Sequence, residues 1–245
     1  MEKAIAYPLS VLYYLCFGLL LVFFHPIQWV CFNFLGYNAH RKSVVALNWG
    51  ILRCTNILGT RYTFDNPHTI SNHQPIIIVA NHQSMYDIPP IIYYMRRFHP
   101  KFISKIELGK DVLCVSCYLP HGGSVLIDRK NSEQALTAIK EFAERIEKNN
   151  HAAVIFPEGT RSKTGAPKKF QVNGLKLLID NIPSASVIPV TINNSWQLVE
   201  HGDFPMGIGT HIKFTVHPPL KVSEYNKEEL IRKVESTIVA HVVND

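Results

Sequence analysis

Charge is almost missing from the first 48 residues. The chain has 25 basic and 19 acidic residues among 245, yet only Glu2, Lys3, Arg41 and Lys42 lie in this segment. The net charge of +6 indicates an anionic partner, which could be nucleic acid, a phosphorylated substrate or a membrane surface. A nucleic-acid-binding protein has no evident use for the uncharged start, whereas an enzyme that acts on anionic lipids would use both features.

Cysteine is also sparse. The five cysteines are odd in number and scattered, and two of them, Cys16 and Cys31, lie inside the apolar segment. This distribution does not indicate a disulfide framework, and it favours a reducing cytosolic face. Cys114 and Cys117 form a lone C-x-x-C without a second pair, so we interpret them as structural rather than as zinc-binding or redox-active residues.

The uncharged residues 4–24 are long enough to cross a membrane. As a helix they would measure about 31 Å, close to the roughly 30 Å of a hydrocarbon core. A cleaved secretory signal fits less well, because Lys3 is the only basic residue before the run, Glu2 is next to it, and no A-x-A-like site follows Phe24. We therefore expect a retained membrane-associated helix.

A second apolar helix is expected after a break at His25 and Pro26. Residues 41–58 place most apolar side chains on one face, which indicates a partly embedded or interfacial helix. The alternative is an ordinary hydrophobic helix of a soluble core. Basic residues flank the segment at both ends, so they do not fix its orientation. We divide the chain into membrane-anchoring helices at 1–58 and a catalytic domain at 59–245.

Strand-like and helix-like patterns alternate beyond residue 60. Apolar runs that favour buried strands occupy residues 75–80, 101–104, 124–127, 152–156 and 187–192. An amphipathic helix is predicted over 132–148, and a terminal helix is predicted to begin at Asn226, a good capping residue. This alternation predicts an α/β fold with a mixed, largely parallel sheet flanked by helices.

The first polar motif follows the first buried strand directly. His82 comes at the end of the apolar run, and Asp87 follows five residues later, where Pro89 and Pro90 favour the first turn of a helix. If the chain reverses there, the carboxylate can orient the imidazole and leave its second nitrogen free to accept a proton. Ser84 is not in a G-x-S-x-G elbow, so we interpret it as a turn residue rather than a nucleophile. A buried histidine next to a helix cap is the plain structural alternative.

A second polar motif follows another apolar strand at residues 156–162. Its proline and Gly159 favour a turn in which backbone N–H groups and Arg161 converge on an anion. Glu158 is expected to order this loop or to bind acceptor hydroxyls. Lys105 and Arg129 also follow strand-like segments, so they could join Arg161 in a phosphate-binding patch. Solvated surface charges are the alternative for both.

Four separated blocks of this chain resemble the glycerolipid acyltransferase family. Residues 81–87 are similar to the family's N-H-x-S-x-x-D block, and residues 123–129 to G-x-x-F-I-D-R, with Leu126 in place of phenylalanine. Residues 156–162 match the third block, residues 187–190 match the fourth, and residues 104–108 resemble the family's K-x-E-L segment. One departure is present: where the family usually has F-K-x-G, this chain has Gln171 after the phenylalanine and one extra residue before Gly174.

The resemblance implies a specific activity and specific residue roles. His82 and Asp87 would be the catalytic pair, Arg129 would bind the acceptor phosphate, and the third block, with Glu158, Gly159, Thr160 and Arg161, would bind the glycerol phosphate. The implied reaction transfers a fatty acyl group from acyl-carrier protein or acyl-CoA to the sn-2 hydroxyl of lysophosphatidic acid, which yields phosphatidic acid at the cytoplasmic membrane. This chemistry requires neither a metal nor a bound cofactor.

Three alternatives to this function remain open at the level of sequence. The acceptor could be another lysolipid, such as an acyl-amino-acid lipid, and the departure near Gln171 bears on this choice. The chain could also be a membrane lipid-binding protein that has lost turnover, although the retained His82 and Asp87 disfavour this. A thioesterase that uses water as acceptor is the third.

Overall fold

The computed structural model describes residues 2–106, 122–128 and 131–243. Within these ranges, the α-helices are α1 (Glu2–Val30), α2 (Gly36–Thr55), α3 (Ile88–Tyr94), α4 (Ser132–Asn149), α5 (Val172–Asn181) and α6 (Lys227–Ala240). The strands are β1 (Arg61–Asp65), β2 (Ile76–Ala80), β3 (Pro100–Lys105), β4 (Val125–Ile127), β5 (Ala152–Ile155), β6 (Ser186–Asn193), β7 (His211–Val216) and β8 (Leu220–Lys221). Cys114 and Cys117 lie outside the described residues.

The strands form one mixed sheet that is mostly parallel. Its order is β1-β7-β6-β2-β5-β3-β4, with β8 paired to β6. β6 runs antiparallel to β7 and β8, whereas the other pairs are parallel. The predicted fold class is therefore confirmed. All five predicted strands are present, and β2, β5 and β6 are buried throughout, as continuous apolar runs require.

Helices cover both faces of the sheet. Tyr13 of α1 and Met95, just after α3, pack with one set of strand side chains. α4, α5 and α6 cover the opposite face, where Phe142, Leu175 and Leu230 are buried. Asn226 caps α6 as predicted, because its Oδ1 accepts a hydrogen bond of 2.8 Å from the Glu229 N–H.

The two N-terminal helices form an antiparallel hairpin along the sheet. Leu47 and Ile51 of α2 pack against Leu20 and its neighbours in α1, and a Cβ on Gly50 would lie 2.8 Å from a Leu20 methyl. The prediction of a break at His25 and Pro26 is wrong, since α1 continues to Val30 with Pro26 inside it.

The chain reverses later than the sequence suggested. A π-helical segment, Cys31–Leu35, follows α1, and α2 then begins at Gly36 with a φ of 77°. A proline removes one helical hydrogen bond, which the turns on either side can tolerate. The chain reverses instead at Gly36, whose positive φ is a conformation that other residues rarely adopt. Glycine adopts that conformation without steric cost, so Gly36 marks the turn better than Pro26.

The hairpin is also apolar enough to interact with a membrane. The stretch Ala4–Leu58 satisfies the length and composition of a membrane-crossing helix, and few of its most apolar residues are buried. Tyr13 and Leu58 nevertheless lie in the same core as the sheet residues. One face of the hairpin therefore packs on the α/β body, and the other face is exposed.

Candidate active site

His82 and Asp87 lie side by side at the carboxyl end of β2. Their facing atoms, His82 Nδ1 and Asp87 Oδ2, are 2.8 Å apart. The Asp87 side chain is fully buried, whereas the His82 side chain is 16% exposed. An ionised carboxylate only accepts hydrogen bonds, so Nδ1 carries the proton and Nε2 remains available as a base.

A short turn brings these two residues together. Residues Met85–Asp87 form a 3-10 helix that leads into α3, and Ser84 caps it by accepting a hydrogen bond from the Tyr86 N–H. Pro89 in the first turn of α3 suits this entry. Ser84 is completely buried in this capping role, which agrees with its interpretation as a turn residue.

Asp87 is held by several donors besides His82. Its Oδ2 accepts hydrogen bonds from the backbone N–H groups of Gln83 at 2.7 Å and Ser84 at 3.0 Å, while its Oδ1 accepts one from the Ser195 hydroxyl. Ser195 is fully buried and also donates its N–H to the Gln83 side chain at 3.0 Å. These contacts fix the carboxylate in one position, so the imidazole has a fixed partner.

Sequence reasoning missed Ser195. It follows β6, the neighbour of β2 in the sheet, and is reached through Asn194, which has a left-handed φ of 71°. The proximity of these two strand ends depends on the sheet order, since 108 residues separate Ser195 from Asp87. The only local signal was an Asn-Asn-Ser turn after an apolar strand, which is common in turns.

The loop that follows β5 lies directly against His82. The Phe156 ring stacks on the imidazole with 4.2 Å between ring centroids. The Ser162 N–H donates to the His82 carbonyl at 2.7 Å, and Glu158 Oε1 accepts from the His82 N–H at 3.3 Å. The two polar motifs are therefore joined into one site, as the neighbouring positions of β2 and β5 require.

Glu158 is buried and has an altered acidity. Burial raises the pKa of its carboxyl to about 7, although backbone N–H groups of His82 and Lys168 oppose the rise. Protonated and ionised forms therefore coexist near neutral pH. Its contact with the His82 backbone supports the first of its two predicted roles, which is to order the loop.

The predicted phosphate-binding residues occupy different positions. Arg161 and Thr160 are exposed, and Arg161, which precedes Ser162, lines the cavity described below together with His82. Gly159 has a φ of 70°, and a Cβ there would lie 3.1 Å from the Gln171 side chain. Gln171, the residue at which this chain differs from the family's F-K-x-G pattern, thus packs directly against the loop of residues 156–162.

The other two basic residues predicted to bind phosphate, Lys105 and Arg129, are not seen next to His82 in the described part of the chain. Lys105 is exposed at the carboxyl end of β3 and does not line the cavity. Arg129 lies outside the described residues, and its predicted role stays a prediction. Lys101, which no sequence motif indicated as a site residue, does line the cavity.

A largely apolar cavity opens beside His82. Its volume is about 260 Å³, and it lies between the N-terminal hairpin and one face of the sheet. Phe17, Leu21 and Val44 line it from the hairpin, and Ile88 and Phe102 line it from the body. The arrangement therefore combines an oriented base, a nearby cation and space for a hydrocarbon chain.

The sequence similarity of this chain to known acyltransferases includes the residues of this site. The acyltransferase family model matches residues 61–193, which include His82, Asp87 and the loop after β5. A 1-acyl-sn-glycerol-3-phosphate acyltransferase of Helicobacter pylori is 33% identical over 125 residues, which are 50% of each chain. The human 1-acyl-sn-glycerol-3-phosphate acyltransferase beta is 24% identical over 62% of this chain and 54% of its own length. The chain thus spans about half the length of these two relatives.

Two further similarities extend over more of the chain. A 1-acyl-sn-glycerol-3-phosphate acyltransferase of Borreliella burgdorferi is 28% identical over 75% of this chain and 72% of its own length. The crystal structure of the 1-acyl-sn-glycerophosphate (LPA) acyltransferase PlsC from Thermotoga maritima superposes with a TM-score of 0.77 at 25% identity. That superposition covers 99% of this chain and 96% of the other, so it includes the N-terminal hairpin.

Proposed function

This chain belongs to the acyltransferase family, and we propose that it transfers a fatty acyl group from an acyl thioester to the sn-2 hydroxyl of lysophosphatidic acid. The product would be phosphatidic acid, an intermediate of phospholipid biosynthesis. The observation that carries this proposal is the His82–Asp87 pair, whose imidazole borders the apolar cavity that Arg161 also lines. The acyltransferase activity for which the similar proteins are named supports the same reaction.

The proposed reaction begins with proton transfer to His82. Nε2 takes the hydroxyl proton of the acceptor as that oxygen attacks the thioester carbonyl, while Asp87 stabilises the imidazolium. The tetrahedral oxyanion then collapses, the C–S bond breaks, and the imidazolium proton goes to the departing thiolate. General base catalysis of this kind contributes about 10²- to 10⁴-fold in rate.

The cavity would hold the hydrocarbon chain during this reaction. Each buried methylene contributes about 0.8 kcal/mol, so complete extraction of a long chain into water is prohibitive. A cavity that is lined by the hairpin and borders His82 avoids this cost, because the chain passes from lipid into protein. We therefore propose that the hairpin is part of the catalytic machinery as well as an anchor.

The exposed face of the hairpin supports attachment to a lipid bilayer. Large apolar side chains are exposed along α1 and at the turn: Ile5, Val11, Leu12, Leu15, Leu19, Val22, Phe23, Trp29, Phe34 and Leu35. A continuous apolar surface of this kind marks a membrane contact or a protein interface. We propose that it lies in the cytoplasmic membrane with the active site on the cytosolic side, where the net charge of +6 favours anionic lipids.

An acyl-transfer assay tests the proposed function. The full chain is incubated with radiolabelled acyl-CoA or acyl-carrier protein and a panel of lysolipids that includes acyl-amino-acid lipids. We expect turnover with both the donor and lysophosphatidic acid present, and the highest kcat/KM for that acceptor, because Arg161 suits a phosphate. Both donors are anionic and suit the net charge, so the assay also identifies the donor.

The same assay separates the alternatives. Free fatty acid released at the same rate without lysolipid would identify a thioesterase. Faster acylation of an acyl-amino-acid lipid than of lysophosphatidic acid would change the assigned acceptor but leave the assigned reaction, acyl transfer, unchanged. Lysolipid binding without turnover for any donor would indicate a lipid-binding protein and contradict the proposal.

Arg161→Ala tests the binding of the acceptor phosphate. We expect the KM for lysophosphatidic acid to rise about tenfold, with a smaller change in kcat, because an exposed arginine binds the phosphate in ground and transition states alike. Steady-state kinetics with the acceptor varied measure both constants. Arg145→Ala, on the exposed face of α4, is the matched control. Unchanged acceptor saturation in Arg161→Ala would remove the support for a phosphate site here.

A further inference from the structure

The cavity beside His82 has a second end that the proposed reaction does not use. Lys101 lies in register with Ala153 of β5, which is itself in register with Ile77 of β2. His82 comes five residues after Ile77, so Lys101 lies about 16 Å from it along the strand direction, toward the amino edge of the sheet. Both residues nevertheless line the same cavity.

Lys101 is an unusually buried cation. Only 7% of the residue is exposed. Its aliphatic stem packs against Gly123, since a Cβ added to that glycine would lie 3.5 Å from Lys101 Cδ. Its Nζ lies 4.8 Å from the centre of the Tyr37 ring, which replaces part of its hydration. No carboxylate in the described part of the chain pairs with it. Burial lowers the pKa of the ammonium to about 8, with a further contribution from Arg41.

Other groups at this end also favour an anion. The Arg41 Nη1 donates to the Arg96 carbonyl at 3.3 Å, whereas the Arg41 Nε is buried and donates to no described acceptor. Tyr37 Oη lies 3.0 Å from His99 Nδ1. Among the described residues that line the cavity there are cations but no aspartate or glutamate. Buried charges are normally paired, so these cations, which have no carboxylate partner among the described residues, point to an anionic ligand.

We propose that Lys101 and Arg41 bind the anionic head group of a single-chain lipid, a carboxylate or a phosphate, whose hydrocarbon chain lies in the apolar part of the cavity. The head group would receive charge-assisted hydrogen bonds from both cations. The chain would contact the side chains of Phe17, Leu21 and Phe102, which a free inorganic anion could not do. The ligand is therefore an anionic amphiphile.

This ligand would enter the space that the acyl donor uses. A chain that extends from Lys101 toward His82 overlaps with an acyl chain that extends in the opposite direction, so the two would compete. An anionic single-chain lipid would then inhibit acyl transfer competitively with the donor. The predicted inhibition rests on the proposed function, whereas binding of the anionic lipid to Lys101 and Arg41 is measured without turnover.

Equilibrium binding of three probes with the same chain tests the site. Dodecanoate, dodecyl phosphate and dodecanol are titrated calorimetrically into the full chain in a neutral detergent. We expect at least one anionic probe to bind about tenfold more tightly than dodecanol, because charge-assisted hydrogen bonds form only with a charged head group. In Lys101→Met this preference should weaken several-fold, because only Arg41 remains to bind the head group, while the dissociation constant for dodecanol stays the same.

The controls separate a built site from surface charge. Lys42→Met removes the same charge from the exposed surface of α2, outside the cavity, and should keep the preference. Equal binding of all three probes to the wild type would overturn the proposal, even if Lys101→Met failed to fold. A preference that is undiminished in Lys101→Met would also overturn it, as would inorganic phosphate binding as tightly as dodecyl phosphate. The tighter of the two anions identifies the head group.

Discussion

His82→Ala is expected to lower kcat for acyl transfer by about 10²- to 10⁴-fold or more, with lysolipid binding retained. The imidazole is the only group that the described structure places at the cavity with a free basic nitrogen and an orienting carboxylate. Its removal takes away the proton acceptor without altering Arg161 or the apolar lining. Radiolabelled acyl transfer under single-turnover conditions measures the chemical step, and calorimetry measures lysolipid binding.

The histidine at position 73 provides a matched control for this variant. His73 is exposed just before β2, at the opposite edge of the sheet from His82, so His73→Ala should keep wild-type activity. Circular dichroism of both variants shows whether the fold is retained. Equal acyl transfer by His82→Ala and the wild type would refute a base at this position, and with it the proposed mechanism.

The sheet core was predictable because its strands are short, apolar runs. β2, β5 and β6 are buried on both faces. β2 and β5 are apolar throughout and β6 contains the apolar run Val187–Val190, so the pattern needs no knowledge of neighbours. β1 and β7 were not predicted. Their burial alternates along the strand, and charged residues such as Arg61 and Lys213 occupy exposed positions. Short alternating segments of this kind are hard to distinguish from loops.

The proximity of His82 and Asp87 was predictable for a local reason. Five residues separate His82 from Asp87, so a single turn decides whether they meet, and the sequence contains the capping and proline signals of that turn. Ser195 and Lys101 reach the site or its cavity through the order of the strands, which no local pattern encodes. Side chains brought in by long-range topology are therefore the ones that sequence reasoning missed.

Substitution of Asp87, the carboxylate beside His82, is expected to have the second large effect on kcat. Asp87 is fully buried, and four groups donate to it: the His82 imidazole, two backbone N–H groups and the Ser195 hydroxyl. An asparagine side chain has the same shape, and its oxygen can still accept from the imidazole and the backbone. Its amide can donate to Ser195, whose hydroxyl also accepts. The substitution thus removes the charge and retains most of the geometry.

Asp87→Asn is expected to lower kcat by roughly 10³- to 10⁴-fold, with little change in the KM of either substrate. The reason is that the imidazolium formed during proton transfer loses the negative charge that stabilises it, whereas substrate binding does not depend on that charge. Ser195→Ala removes one donor and leaves the charge, so its kcat should fall only about tenfold. Steady-state kinetics of both variants test this order, and thermal unfolding shows whether either loses the fold. A larger kcat loss in Ser195→Ala than in Asp87→Asn would mean that the position of the carboxylate matters more than its charge.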